Sequence, residues 1–350
     1  IVYYLDPGTP EPVRSALLEG AGWWAQAFEA AGFRNAFRVE MLPDDADPMD
    51  VRYNTIQWVH RATRGWSYGA SVIDPRTGEI LKGHVTLGSL RVRQDLLIAR
   101  GMTAPFADGG DDAAALEMAL ARIRQLAAHE VGHTLGLAHN FVASVRNRES
   151  VMDYPHPRLS LDEAGTIGLD DAYAEGIGAW DARAIRYGYA VFDDAHDERA
   201  GLALLLEENR REGFEFISDP DSRSVGDFHP RSHLWDDGHD PVAQLQQMMD
   251  LRAAALGRFG SANIPPDAPL SDLHEAIVPV YLFHRYQVEA MAKLIGGFDY
   301  RYALEGDGPD AAVAAVSPAR QREAIDALLD TLDPAALVLP PSLLQQVPPK

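Results

Sequence analysis

Three histidines and one glutamate stand within eleven residues near the middle of the chain, at His129, Glu130, His133 and His139. On an α-helix, His129 and His133 share one face, so both imidazoles can reach one metal ion while Glu130 lies beside them. Gly136 can end such a helix in a left-handed conformation, and the chain then turns so that His139 returns as a third ligand. Three neutral imidazoles leave a zinc ion its full charge and one open tetrahedral position, which is typical of a catalytic site.

The complete pattern HExxHxxGxxH, followed by the run SVMDY at positions 150–154, resembles the signature of the metzincin zinc endopeptidases and their Met-turn. The resemblance implies a role for each matching position: zinc binding by His129, His133 and His139, general base catalysis by Glu130, and an apolar floor beneath the metal from Met152. In the astacin and serralysin branches, a tyrosine two residues after this methionine lies near the zinc. The resemblance gives that place to Tyr154.

One position departs from the best-known branches of this superfamily. Asn140 follows the third histidine, where those branches carry Glu, Asp, Ser or Pro. The wider run HTLGLAHNFVAS, the Met-turn and a long helical tail look like a group of large bacterial secreted zinc-dependent metalloproteases. The resemblance therefore implies metzincin chemistry without assigning the chain to one of the familiar branches.

The motif needs a long, well-packed helix to hold its ligands. Asp111 or Asp112 is predicted to cap this helix, and apolar residues from Leu116 to Leu135 recur at helical spacing along one side. The histidines occupy the last turns. Packing of the apolar stripe is therefore expected to keep the ligands rigid.

Strands and one helix are predicted before this motif. The expected strands are 1–6, 37–42 and 53–60, a helix lies between Pro10 and Gly32, and a hairpin joins 67–73 to 80–90. In metzincins the strand before the active-site helix forms the sheet edge over the cleft. An edge strand can bind an extended peptide through backbone hydrogen bonds, so the peptide or protein substrate is expected along 83–89. The alternative is that this hairpin is a covered part of the sheet.

The chain is long enough for two domains, and the predicted fold class is α+β. Residues 1–190 are predicted to form a metzincin-like catalytic domain, with a twisted mixed sheet and the active-site helix. Residues 191–350 are predicted to form a mainly α-helical extension packed on it. The candidate helices of the extension are 202–211, 241–259, 270–296 and 318–332.

Composition excludes several classes of partner. A formal net charge of -21 disfavours nucleic acid and anionic membranes, and no apolar run reaches the roughly 18 residues of a membrane span. The absence of cysteine excludes disulfides, thiol catalysis and cysteine-ligated zinc. We expect an extracytoplasmic protein, periplasmic or secreted, with any export signal upstream of Ile1.

Two acidic loops leave calcium as a minor alternative to solvated structure. The loop 43–50 is predicted to be a solvated connection, with a calcium site as the alternative. The loop 235–241 brings three carboxylates and a histidine together, but it lacks the spacing of a calcium loop. Helix capping is the favoured interpretation of that second loop.

These residues predict a zinc-dependent endopeptidase that hydrolyses peptide bonds with metal-activated water and with Glu130 as general base. One alternative keeps the zinc but acts on cell-wall or other non-protein amides, as a zinc amidohydrolase. Another is a catalytically silent binding module. The presence of Glu130 beside three complete ligands weighs against the module, because a binding module has no need of a base.

Overall fold

The computed structural model of the protein describes residues 1–61, 65–192, 198–223, 226–305 and 313–346. The chain forms two compact units that alternate along the sequence. The first unit comprises Ile1–Arg91, Leu120–Asp153 and Ala174–Ser218, and the second comprises Val92–Ala119, Tyr154–Tyr173 and Asp219–Lys350. The division into a domain of residues 1–190 and a second domain of residues 191–350 stays a prediction. Compact units show which segments lie close together in the fold, and they do not test which segments fold as one domain.

The first unit contains a five-stranded mixed sheet. Its strands are β1 (Val2–Leu5), β2 (Arg38–Met41), β3 (Asn54–Val59), β4 (Tyr68–Ile73) and β5 (Ile80–Gly88). They are arranged in the order β2-β1-β3-β5-β4, and β4 alone runs antiparallel to its neighbour. This sheet, together with the helices, confirms the predicted α+β class.

The prediction that segment 83–89 forms the edge of the sheet is wrong. The segment 83–89 belongs largely to β5, which pairs with β3 on one side and with β4 on the other. Strand β4 is the edge. Most of β5 from Lys82 to Gly88 is buried, whereas β4 carries exposed Tyr68, Val72 and Ile73. A strand with neighbours on both sides has no free row of backbone groups to offer a peptide.

Helices make up most of the remaining regular structure. Their bounds are α1 (Val13–Gly22), α2 (Trp24–Ala30), α3 (Leu90–Thr103), α4 (Ala113–Thr134), α5 (Ala179–Tyr189), α6 (Glu198–Arg211), α7 (Pro241–Arg258), α8 (Leu273–Tyr281), α9 (Arg285–Ala292), α10 (Pro318–Asp330), α11 (Pro334–Leu337) and α12 (Pro341–Leu344). Two short strand pairs join β6 (Ser160–Leu161) to β7 (Ile167–Gly168) and β8 (Phe298–Asp299) to β9 (Ala314–Ala315). Among the described residues, no helix has the length and apolarity needed to cross a membrane.

Two predicted helices are interrupted. The helix expected between Pro10 and Gly32 is divided at Trp23 into α1 and α2, and the helix expected over 270–296 is divided into α8 and α9. Pro279 lies inside α8 and lacks the N–H that an uninterrupted helix would use, and α8 ends two residues later. Helix α3 had no counterpart in the prediction.

Helix α4 is fixed on the sheet and on the first two helices. The Trp24 indole Nε1 donates to the carbonyl of Ala128 at 2.8 Å, and the Tyr3 hydroxyl contacts Thr134 Oγ1 at 2.6 Å. Both aromatic side chains are almost fully buried. The C-terminal half of α4 therefore has apolar packing and buried hydrogen bonds on its inner side.

The second unit has its own core. Leu245, Met291, Leu294 and Ala324 form a buried cluster contributed by α7, the region of α9 and α10. Lys293 is also buried in this unit, and its ammonium group donates to the carbonyls of Ser222 and Ser232 at 2.8 Å each. These hydrogen bonds compensate a cation that would otherwise be costly to bury.

Candidate metal centre

The three predicted histidines converge. His133 Nε2 lies 3.1 Å from His129 Nε2 and 3.1 Å from His139 Nε2. Zn–N bonds of about 2.0–2.1 Å place the nitrogen atoms of a tetrahedral site about 3.3 Å apart. The observed separations are close to that spacing, and three nitrogen donors are a ligand set that zinc accepts. Within the described ranges, these are the residues that group closely enough to hold a metal ion.

Backbone carbonyls orient two of the rings. His129 Nδ1 lies 2.7 Å from the carbonyl of Val151, and His133 Nδ1 lies 2.9 Å from the carbonyl of Leu137. A carbonyl can only accept, so each Nδ1 carries the hydrogen and each Nε2 keeps its lone pair for a metal. Burial, helped by the neighbouring imidazoles, lowers the pKa of His129 well below its usual value. That ring is therefore neutral at pH 7, the form that binds zinc.

Gly136 lies at the turn that follows the active-site helix. Its φ is +92°, and the N–H of Leu137 reaches back to the carbonyl of Gly132 at 3.1 Å. This is the hydrogen bond of a glycine C-cap, in which a left-handed residue reverses the chain direction. The turn brings His139 back to the face of α4 that carries His129 and His133.

Glu130 is buried beside the ligands, at 5% exposure. Desolvation raises the pKa of its carboxyl group to about 7, opposed by Arg122 and by a backbone hydrogen bond from Gly69. One carboxylate oxygen, Oε2, has no hydrogen-bond partner among the described residues. A bound divalent cation would lower this pKa by favouring the carboxylate form. This oxygen is thus buried with its hydrogen-bonding capacity unused by the described residues.

Strand β4 lies directly on the active-site helix. A Cβ atom added at Gly69 would stand 2.0 Å from the carbonyl oxygen of Glu130 and 3.1 Å from His133 Cβ. Ser71 Oγ donates to the carbonyl of Thr134 at 2.8 Å. The close approach depends on the absence of a side chain at Gly69, and it places the true edge strand beside both the base and a ligand.

Met152 packs against the helix that carries two of the ligands, and its role as the floor of the site stays a prediction. Its side chain is fully buried, and a Cβ atom added at Gly132 would lie 2.3 Å from Met152 Sδ. The sulfur therefore packs against α4 at the turn that contains the ligands. Gly132 permits this contact because it has no side chain.

A buried carboxylate that the sequence did not indicate fixes the Met-turn. Asp181 accepts hydrogen bonds from Ser150 Oγ at 2.6 Å, from the Val151 N–H at 2.8 Å and from the Gly178 N–H at 2.9 Å. Burial raises the pKa of Asp181 to about 7, although these hydrogen bonds act in the opposite direction. The carbonyl of Val151 then accepts from His129. Asp181 thus supports a metal ligand through one intervening residue.

Sequence alone offered little sign of this role. Asp181 is the third residue of α5, where an acidic side chain is expected from helix capping. On the same helix, Tyr187 is 38% exposed, whereas Asp181 is fully buried. The role of Asp181 is therefore visible in its contacts rather than in its local sequence.

Tyr154 begins the segment Tyr154–Tyr173 of the second unit, and within that unit its ring lies close to another aromatic ring. The ring lies 5.3 Å from the Trp235 ring, and the guanidinium group of Arg223 lies 5.5 Å from the Tyr154 centroid. The N–H of Trp235 donates to the Tyr154 carbonyl at 2.9 Å. A catalytic role for the Tyr154 hydroxyl stays a prediction.

The structure gives calcium no support. The ammonium group of Lys82 donates to the carbonyls of Pro48, Asp50 and Tyr53. A positively charged side chain of the protein therefore already lies against the acidic loop. In the second acidic loop, Asp240 caps α7 by accepting from the N–H groups of Val242 and Ala243.

Asp237 in the same loop accepts two hydrogen bonds from Arg158, at 2.6 and 2.7 Å. Its carboxylate is thus committed to an ion pair within the second unit. Capping accounts for Asp240 and ion pairing for Asp237.

Three histidines at the end of a helix packed on a mixed sheet, with a buried methionine beneath them, define a zinc site of the metzincin type. Residues 111–348 match the protein family described as Met-zincin, and the chain belongs to that family. The match includes all three histidines, Glu130 and Met152. Comparison with curated proteins gives no match, and comparison with solved structures gives none.

Proposed function

We propose that the protein is a zinc-dependent endopeptidase. The family and the three-histidine site support a zinc metallopeptidase, and cleavage within peptide chains is the finer proposal. The observation that carries it is the convergence of three Nε2 atoms beside a buried glutamate with a free carboxylate oxygen. A binding site for zinc alone would not need that glutamate.

The protein's own residues divide the work of hydrolysis. His129, His133 and His139 would hold the zinc ion, which when bound activates water and polarises a carbonyl group. Glu130 accepts a proton from the attacking water and later donates it to the departing amine. Its burial beside the ligands limits the movement of the carboxylate between the two transfers.

The substrate is proposed to bind along β4 rather than along 83–89. One side of β4 pairs with β5, and no strand covers its other side in the part of the chain that the structure describes. An extended peptide could pair with that free edge through its backbone. The exposed side chains of Tyr68, Val72 and Ile73 offer apolar contacts at the same strand. Support for this placement comes from the contact of Gly69 with the Glu130 backbone.

Substitution of the base tests the proposal. In the Glu130→Gln variant, cleavage of unfolded casein should be lost while zinc, measured by metal analysis, remains bound. Glu117→Gln is the matched control, because Glu117 is an exposed glutamate on the same helix and its loss should leave cleavage unchanged. A chelator should abolish cleavage by the unaltered protein, and added zinc should restore it.

The outcomes separate three functions. Normal casein cleavage by Glu130→Gln would exclude the proposed mechanism. No cleavage of casein, combined with hydrolysis of a short cell-wall peptide by the unaltered protein, would favour an amidohydrolase. Tight zinc binding without hydrolysis of either substrate would favour the binding module.

A further inference from the structure

Asn140, the residue immediately after the third histidine, uses both ends of its side-chain amide. Asn140 Nδ2 donates to the carbonyl of Glu215 at 3.0 Å, and Oδ1 accepts from the N–H of Ile217 at 3.2 Å. The residue is only 1% exposed. The side-chain amide therefore pairs with one carbonyl and one N–H of segment 215–217, as the backbone of a neighbouring strand would do in a sheet.

The backbone at the same position makes two more connections. The Asn140 N–H donates to the carbonyl of Met152 at 3.1 Å, and the Phe141 N–H donates to the carbonyl of Ile217 at 2.9 Å. Phe141 is fully buried, and its ring lies 5.0 Å from that of His139. Residues 140 and 141 thus link the Met-turn on one side to segment 215–217 on the other.

The third ligand needs support of this kind more than the other two. His129 and His133 are held within α4, whereas His139 lies beyond the end of that helix and beyond the Gly136 turn. A ligand on a loop keeps its position only through the contacts of the loop. The hydrogen bonds at Asn140 are the first side-chain contacts after His139 along the chain.

The chemistry explains why asparagine stands here. The position must donate to one carbonyl and accept from one N–H at the same time, with both atoms in one plane. A primary amide provides this combination, whereas an ionised carboxylate has no donor. Aspartate is nearly the same size but would set an oxygen against the Glu215 carbonyl.

We propose that Asn140 is a positioning residue that holds His139 in the metal site by joining its loop to segment 215–217. The proposal rests on the zinc site of the proposed function but not on peptidase activity. It gives the segment after α6 an indirect part in metal binding, although that segment follows Asn140 by some 75 residues in sequence. The loss of an outer-shell contact of this kind typically weakens metal binding by about 10–100-fold.

Zinc affinity of the full chain tests the proposal. The zinc Kd, measured by competition with a coloured chelator, should rise about 10–100-fold in Asn140→Asp. The visible spectrum of the cobalt-substituted variant should also change, because the third imidazole is no longer held at its position. Both readouts are independent of catalysis.

Asn263→Asp is the matched control. Asn263 is also 1% exposed, and its amide donates to the carbonyls of Arg100 and Gly101 and accepts from the Gly260 N–H, all within the second unit. The same substitution there should lower thermal stability but leave the zinc Kd within about threefold of its original value, since no zinc contact is lost. Equal losses of zinc affinity in both variants would overturn a specific role for Asn140.

Further outcomes decide the remaining cases. If Asn140→Asp does not fold, Asn140→Ala is the second variant. It removes the amide without placing a carboxylate oxygen against the Glu215 carbonyl, and the same rise in the zinc Kd is expected. In the unaltered protein, zinc should slow hydrogen exchange at the Ile217 amide, and this measurement needs no variant. An unchanged Kd in a folded Asn140 variant, or zinc-independent exchange at Ile217, would overturn the proposal. Failure of the unaltered protein to bind zinc would instead remove the proposed function.

Discussion

A methyl group at Gly132 should disturb the metal site more than it disturbs folding. The added Cβ atom in Gly132→Ala would lie 2.3 Å from Met152 Sδ and 2.7 Å from Trp24 Cζ2. Both distances are far below van der Waals contact, and both neighbouring side chains are fully buried. Both side chains must therefore move, or the helix must shift, and Met152 belongs to the turn that orients His129 through Val151.

The effect on stability should be small because two terms oppose each other. Alanine is favoured over glycine inside a helix by about 1 kcal/mol, whereas overpacking a core costs about 1–3 kcal/mol. The net loss in the free energy of unfolding is therefore about 0–2 kcal/mol. Zinc binding gains nothing from the alanine, because any shift of the Met-turn displaces the Val151 carbonyl that holds His129. Zinc affinity should fall by about 10–100-fold.

Two measurements on the same variant separate these effects. Urea denaturation of the zinc-free protein gives the change in stability, and chelator competition gives the zinc Kd. Gly188→Ala is the control, because Gly188 lies in α5 with nothing within 4 Å of an added Cβ. It should be neutral or stabilising by up to about 1 kcal/mol and should leave zinc binding unchanged. A Gly132→Ala variant that binds zinc as tightly as the original would refute a rigid floor beneath the ligands.

Three further predictions concern side chains around and beyond the site. Asp181→Ala should lower the free energy of unfolding by about 3 kcal/mol or more in urea denaturation, because two buried donors and one partly buried donor lose their acceptor; a loss below about 1 kcal/mol would contradict this. Tyr154→Phe should reduce kcat by about 10–1,000-fold with little change in KM if the hydroxyl stabilises the oxyanion, and unchanged kinetics would make the hydroxyl structural. Burial lowers the pKa of His156 to about 4, so the unfolded chain takes up this proton first as the pH falls from 6.5. The contribution of His156 to stability should therefore decrease by about 1.4 kcal/mol per pH unit between these values, and the slope of stability against pH should differ by that amount in His156→Gln; an unchanged slope in the variant would exclude this contribution.

Local geometry explains what the sequence could predict about the site. The spacing of His129 and His133 follows from the helical repeat, and the need for a left-handed residue at Gly136 follows from the turn that brings His139 back. The structure places all three rings together and gives Gly136 a φ of +92°. None of these inferences required knowledge of distant contacts. An extracytoplasmic location stays a prediction.

Contacts between distant segments explain what the sequence could not predict. The hairpin was predicted, but nothing in its sequence indicates which of its two strands pairs with β3. The edge of the sheet was therefore assigned to β5 instead of β4. The roles of Asp181 and Asn140 depend on partners about 30 and 75 residues away. A polar residue with such a partner has the same local pattern as a solvated one.

The part of the chain before the matched family region also contributes to the site. The Met-zincin match begins at residue 111, yet Gly69 packs against the carbonyl of Glu130 and the indole of Trp24 donates to the carbonyl of Ala128. The inner face of α4 is apolar, so it must be covered by the sheet and by the first helices if the ligands are to stay fixed. The sheet therefore does more than support the fold. Through Gly69 it sets the environment of the base, and through β4 it supplies the only free strand edge beside that base within the described residues.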